Sequence, residues 1–225
     1  MQIDDHRLLV GTLLGMGAWN LIGNLLLPGV WYIPANVTVS VCLIGASRRA
    51  GFSWDDLGLS ITKVTAGLRL GIAAGLAILI ALASVLVVPQ AASTLGGDGV
   101  ASSSSFDHWF RPLIRIPLGT VLMEEVLFRG VLLAILLRRH SVRVAVTVSA
   151  LFFGLWHIVP ALETSNGSAA AVVGATIGTV VATSIAGIGF AYLRLRSQSL
   201  VAPMLAHWCT NGIAYGVVLI ALRST

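Results

Sequence analysis

The chain has 225 residues, of which 14 are basic and 9 acidic, and hydrophobic types make up 56%. A soluble domain carries roughly 25% charged residues because its surface faces water; here the share is 10%, and mean hydropathy is +0.91. These values exclude a soluble globular enzyme, a disordered chain and a coiled coil, and leave a polytopic membrane protein.

Seven apolar runs follow one another, at residues 8–27, 30–47, 67–88, 112–137, 142–162, 169–193 and 200–222. They are long and apolar all round, without the alternation of short barrel strands, so an all-α membrane bundle of about seven transmembrane helices is expected. The first run ends at the Pro28-Gly29 breaker without a small-x-small cleavage site and reads as a retained span rather than a signal peptide. Between the second and third runs, Ser53 is placed to cap a short helix whose first turn carries Asp55 and Asp56, with Trp54 and Leu57 as interfacial anchors. The Gly/Ser-rich stretch 90–110 reads as a mobile loop ending in the interfacial pair Trp109 and Phe110. In the sixth run Gly174, Gly178, Gly187 and Gly189 suggest close helix packing. Asn20, Asn24 and Asn36 either join helices or line an access path; the sequence does not separate these. Cys42 and Cys209 lie in apolar runs and read as packing residues, not as a disulfide or a metal pair.

The formal net charge of +5 has no water-exposed domain to reside on, so no nucleic-acid partner is expected. Arg48, Arg49, Lys63 and Arg69 flank the second loop; Arg138, Arg139 and Arg143 flank the fourth; Arg194 and Arg196 flank the sixth. The opposite loops hold Asp98, Asp107 and Glu163. The positive-inside rule then sets the N-terminus in the cytoplasm and the C-terminus outside.

Once the loop charges are set aside, three later spans keep a short list of costly groups. The fourth has Glu124, Glu125 and Arg129; the fifth has His157; the seventh has His207 and Asn211. A deep carboxylate, arginine or imidazole costs several kcal/mol unless paired. At 1.5 Å per residue these groups lie at similar depths, about 15–20 Å from the basic ends of their helices. Helical phase divides them. Glu125 and Arg129, four apart, share a face and form an ion pair. Glu124, rotated by about 100°, is free to meet His157. His207 and Asn211 share one face and point at one small volume. One carboxylate, two imidazoles and an amide suit hydrolysis of a carbonyl compound. Glu124 takes a proton from water positioned by His157, and His207 with Asn211 donates to the oxyanion.

The motifs EExxxR (Glu124 to Arg129), FxxxH (Phe153 to His157) and HxxxN (His207 to Asn211) stand in order on three spans. In this the chain resembles the CPBP family, the CAAX prenyl-protease-2-like and bacteriocin-processing intramembrane proteins also called Abi. The resemblance covers roughly residues 110–225. It divides the chain into variable N-terminal helices (1–110, three spans and the polar loop) and a catalytic membrane core (111–225, four spans). It implies a glutamate-dependent intramembrane endopeptidase of a multi-pass, prokaryotic plasma-membrane kind, without a cofactor. Its partners are the lipid bilayer and a peptide or membrane-protein substrate, prenylated or not. Glu124, His157, His207 and Asn211 carry the chemistry, with Glu125, Arg129 and Phe153 in support.

Two other readings of the same residues stand beside it. Glu124, His157 and His207 form a legitimate zinc set, although HExxH is absent. A non-catalytic immunity or scaffold protein would retain the fold alone. A proton-coupled transporter is disfavoured, because the polar groups form one cluster and the halves show no repeat.

Overall fold

The computed structural model describes residues 5–86, 105–213, 215 and 216. Among these there is helix and turn and no strand. The order is α1 (Asp5–Leu21, continued by a π-turn, Ile22–Leu26), α2 (Tyr32–Arg49), α3 (Val64–Leu86) and α4 (residues 105–137). Then come α5 (Val142–Trp156), α6 (Ile158–Thr164), α7 (Ala169–Ser197) and α8 (Val201–Trp208, continued by a π-turn, Cys209–Ile213). Five of the described helical stretches are long and apolar enough to cross a membrane: Arg7–Leu26, Gly29–Arg49, Ile61–Ala83, Val142–Thr164 and Ala169–Ser197. The protein is therefore a multi-pass membrane protein of all-α type. The expected fourth span is helical throughout but carries four charges, and most of the second half of the expected seventh lies outside the described residues. So does most of the Gly/Ser-rich stretch.

Local chemistry sets the helix starts. Ser141 Oγ accepts from Val144 N at the head of α5, and Ser168 Oγ from Ala171 N at the head of α7. α4 departs from a plain helix. Arg111–Val121 and Val126–Leu132 are π-helical, flanking a single α turn, Leu122–Glu125. Pro117 sits inside the first π stretch, where its missing N–H removes one helical bond. Ser149 Oγ of α5 donates to Phe128 O in the second, at 2.9 Å. Wide turns of this kind are rare and concentrate at functional sites. Here they bracket the two glutamates.

α5 and α6 meet at His157, whose φ of −87° and ψ of 2° break the run expected to continue through it. The cause is Pro160, which has no N–H to offer the carbonyl four residues back, Trp156 O. That carbonyl instead accepts from Asn20 Nδ2 of α1 at 2.9 Å. One of the three asparagines thus ties α1 to the break.

α5 packs on α7 and α3 on α8. At Gly154 an added Cβ would collide with Ser184 Oγ and lie 2.6 Å from Val180 O, so the α5–α7 approach requires glycine. Of the four α7 glycines expected to pack closely, Gly187 does, with an added Cβ 3.1 Å from Ala150 Cα of α5, whereas a Cβ at Gly174, Gly178 or Gly189 would meet nothing described within 4 Å. Close packing is also found on α3. A Cβ at Gly71 would be 2.9 Å from Leu205 Cδ1, and one at Gly75 would be 2.8 Å from Cys209 Sγ. The apolar core gathers where α4, α5, α7 and α8 converge, around Phe128, Leu132, Phe153, Trp156 and Phe190.

The segment after α2 is a turn rather than a short helix. Ser53 and Asp56 do bond reciprocally (Asp56 N to Ser53 Oγ 3.0 Å; Ser53 N to Asp56 Oδ2 2.7 Å). Leu57, expected at the interface, is buried against Phe52 and Leu200, while Trp54 is exposed beneath Arg48. Arg194 closes this turn from α7, donating to Asp55 O at 3.0 Å and Asp56 O at 2.8 Å. Arg138 donates to Gly51 O at 2.9 Å. Lys63, Arg138 and Arg194 line one cleft, which puts three of the basic loop ends at the same end of the bundle.

Candidate active site

The site is built on the α turn of α4. Glu125 is fully buried, and its Oε1 accepts from Arg129 Nη1 at 3.0 Å and from His207 Nδ1 at 2.8 Å. Arg129 is 1% exposed and lies 4.0 Å from the centre of the Phe153 ring and 5.1 Å from that of Phe190. Its Nη2 reaches Gly187 O of α7 at 3.4 Å. The guanidinium is therefore held by a carboxylate, two aromatic faces and a backbone carbonyl. A charge taken out of lipid and water needs such compensation. The expected Glu125–Arg129 pair is present, and it also captures His207.

Glu124 points elsewhere. Its Oε1 accepts from Trp156 Nε1 at 3.1 Å. Its Oε2 is buried and has no hydrogen-bond partner, with His207 Nε2 at 3.7 Å. A buried carboxylate oxygen without a donor is costly and retains its capacity to accept a proton. Glu124 lines a cavity of about 270 Å³ together with Trp156, His157 and Asn211.

His157 stands at the α5–α6 break. Its Nδ1 bonds Phe153 O at 2.7 Å, and since a carbonyl only accepts, Nδ1 carries the proton. Nε2 of the neutral ring is then an acceptor. His157 does not touch Glu124 directly; the two share the cavity. Phe153 lies edge-on to His157 (4.8 Å between centroids) and to His207 (5.7 Å), and beneath Arg129. That one ring fixes three members of the constellation.

His207 is 2% exposed and stacks on Phe190 at 4.9 Å. With Nδ1 donating to Glu125, Nε2 of the neutral ring accepts from Asn211 Nδ2 at 3.1 Å. The two were expected to donate side by side into one volume. They instead touch each other, and Asn211 alone of the pair lines the cavity. Among the described residues no group of three or more His, Cys, Asp or Glu side chains is placed to hold a metal ion. Of the three residues of the zinc alternative, His207 has its Nε2 engaged by Asn211, while His157 keeps its Nε2.

Two contributors escaped the sequence reading. One is Trp156: a tryptophan buried in a span needs an acceptor for its indole N–H, and here Glu124 supplies it. The far wall of the cavity comes from α1, its π-turn and α2: Trp19, Asn24, Tyr32 and Asn36. Tyr32 Oη bonds Thr120 Oγ1 of α4 at 3.0 Å. The N-terminal helices thus share the site with the later ones.

Residues 107–213 match the family model described as type II CAAX prenyl endopeptidase, Rce1-like. No curated protein and no solved structure matches the chain. The matched segment holds Glu124, Glu125, Arg129, Phe153, His157, His207 and Asn211, the residues that the fold brings together. Residues 107–213, a little under half of the chain, are thus similar to the CAAX-protease family, Rce1-like in type.

Proposed function

We propose that the protein is an intramembrane endopeptidase that hydrolyses a peptide bond with water activated by Glu124. As the water oxygen bonds to the carbonyl carbon, its proton passes to Glu124. His157 positions the water through Nε2. Asn211 donates to the oxyanion, and His207, fixed by Glu125, holds Asn211 in place. When the intermediate collapses, the C–N bond breaks and Glu124 returns the proton to the leaving amine. Arg129 and Phe153 keep the two imidazoles and Glu125 in register. The substrate is a membrane-associated or lipidated peptide or protein, with prenylated C-termini among the candidates because the matched family is described as prenyl endopeptidases.

The observation that carries this reading is the position of the unpaired Glu124 oxygen. One oxygen is pinned by Trp156 and the other has no hydrogen-bond partner, on the wall of a cavity shared with His157 and Asn211. Glu125 also leaves its Oε2 without a donor, but it does not line the cavity, so what singles out Glu124 is its place beside His157 and Asn211. The test compares membrane peptides from cells carrying wild-type protein with those from Glu124→Gln, which keeps the shape and removes the base. Peptides ending at new termini only with wild type are expected. Identical peptide sets would leave a scaffold or immunity protein as the better description.

A further inference from the structure

The wall facing Glu124 carries a second recognition feature, drawn from helices that the family match does not cover. Trp19 Nε1 donates to Asn36 Oδ1 at 2.8 Å, which fixes the Asn36 carboxamide with its oxygen toward Trp19 and its NH2 as the group still to be satisfied. Asn24 Nδ2 donates to Asn20 O at 2.8 Å, which fixes Asn24 the other way, with its oxygen as the remaining acceptor. Both side chains line the cavity that holds Glu124, and Asn36 is 2% exposed. The Asn36 NH2 has no hydrogen-bonded acceptor among the described residues and opens to the cavity, where a ligand carbonyl can accept from it. The wall offers one donor and one acceptor, both uncharged. That set complements neither an anion nor a cation. It matches a secondary amide, whose C=O accepts and whose N–H donates.

We propose that Asn36 and Asn24 form a peptide-amide subsite, with the Asn36 NH2 donating to a backbone carbonyl of the substrate and Asn24 Oδ1 accepting from a backbone N–H. The proposal rests on the endopeptidase reading for the identity of its ligand. In that setting the amide recognised belongs to a peptide group near the one cleaved, because the pair and Glu124 share about 270 Å³. The N-terminal helices then supply substrate binding while α4 to α8 supply the chemistry. Asn20, which spends its own amide on Trp156 O, is the one of the three asparagines that only joins helices.

The test uses the Glu124→Gln protein in phosphatidylcholine nanodiscs, so that binding is read without turnover. The probes are acetyl-alanyl-alanine methylamide and its analogues, each with one backbone N–H replaced by oxygen. Affinity is followed by the indole N–H resonance of Trp19, which bonds directly to Asn36. One ester analogue is expected to bind about five- to tenfold more weakly than the parent, the worth of a single neutral hydrogen bond. Asn24→Leu should abolish that difference, since the acceptor for the N–H is gone. Asn36→Leu should weaken parent and ester alike, and the Trp156 indole resonance, unchanged from that of the Glu124→Gln parent, serves as the check that the protein is folded. The proposal is overturned if no ester differs from the parent, if Asn24→Leu preserves the difference, or if no probe binds. Discrimination by the pair alongside an absence of cleavage in wild type would uphold the subsite and remove the protease reading.

Discussion

Arg129 and Arg194 are both almost fully buried, yet they sit in regions built on opposite principles. Arg129 lies at mid-bundle and is neutralised by Glu125, with aromatic faces around it. Arg194 lies at the basic end and donates from Nη2 to the carbonyls of Asp55 and Asp56 in a turn. A carbonyl staple holds backbone in place and asks nothing of protonation. A carboxylate pair fixes charge, and through Glu125 it also fixes His207 and then Asn211. The comparison separates what shapes the bundle from what shapes the site.

The largest expected effect belongs to Glu124. Glu124→Gln should lower cleavage by about 10²–10⁴-fold, the usual worth of a general base, with thermal stability little changed. Arg129→Met comes next and acts on stability. It leaves Glu125 buried without its cation and should cost about 3–5 kcal/mol, seen as an earlier unfolding transition in nanodiscs. Trp156→Phe removes the donor to Glu124 Oε1 and should reduce cleavage by about 10- to 100-fold, consistent with a hydrogen bond to a charged group. Its effect should fall on kcat more than on KM. The smallest effect is predicted for Arg194→Lys, which keeps charge and loses the two-carbonyl grip. About 1 kcal/mol of stability should be lost, with cleavage per folded molecule unchanged. A fall in kcat for Arg194→Lys would break the proposed separation of the two regions.

What could be read from the sequence was what depends on spacing within one helix. Glu125 with Arg129 and His207 with Asn211 are each four apart, and both pairs meet in the fold. Glu124 and Glu125 diverge because the turn that carries them is α-helical, as the phase argument assumed. The π stretches on either side are set by packing and proline rather than by any apolar pattern. Contacts between helices were out of reach for the same reason. Nothing local tells Trp156 that Glu124 awaits its indole, or Asn36 that Trp19 will take its oxygen. The break at His157 was legible in principle, since Pro160 removes the bond to Trp156 O. What replaces that bond comes from Asn20, 136 residues away. The α7 glycines divide for a similar reason: Gly187 meets Ala150 while Gly174 and Gly178 meet nothing described, since GxxxG spacing marks a helix face but does not say whether another helix covers it.

The most direct test of the account uses purified wild type and Glu124→Gln in nanodiscs, stripped of metal by chelation, on a peptide that the membrane profiling identifies. The account predicts that wild type cleaves it in ¹⁸O-water with one labelled oxygen in the new carboxylate, and that Glu124→Gln leaves it intact. Cleavage by Glu124→Gln at the wild-type rate, or wild-type cleavage that vanishes with the metal, would contradict it.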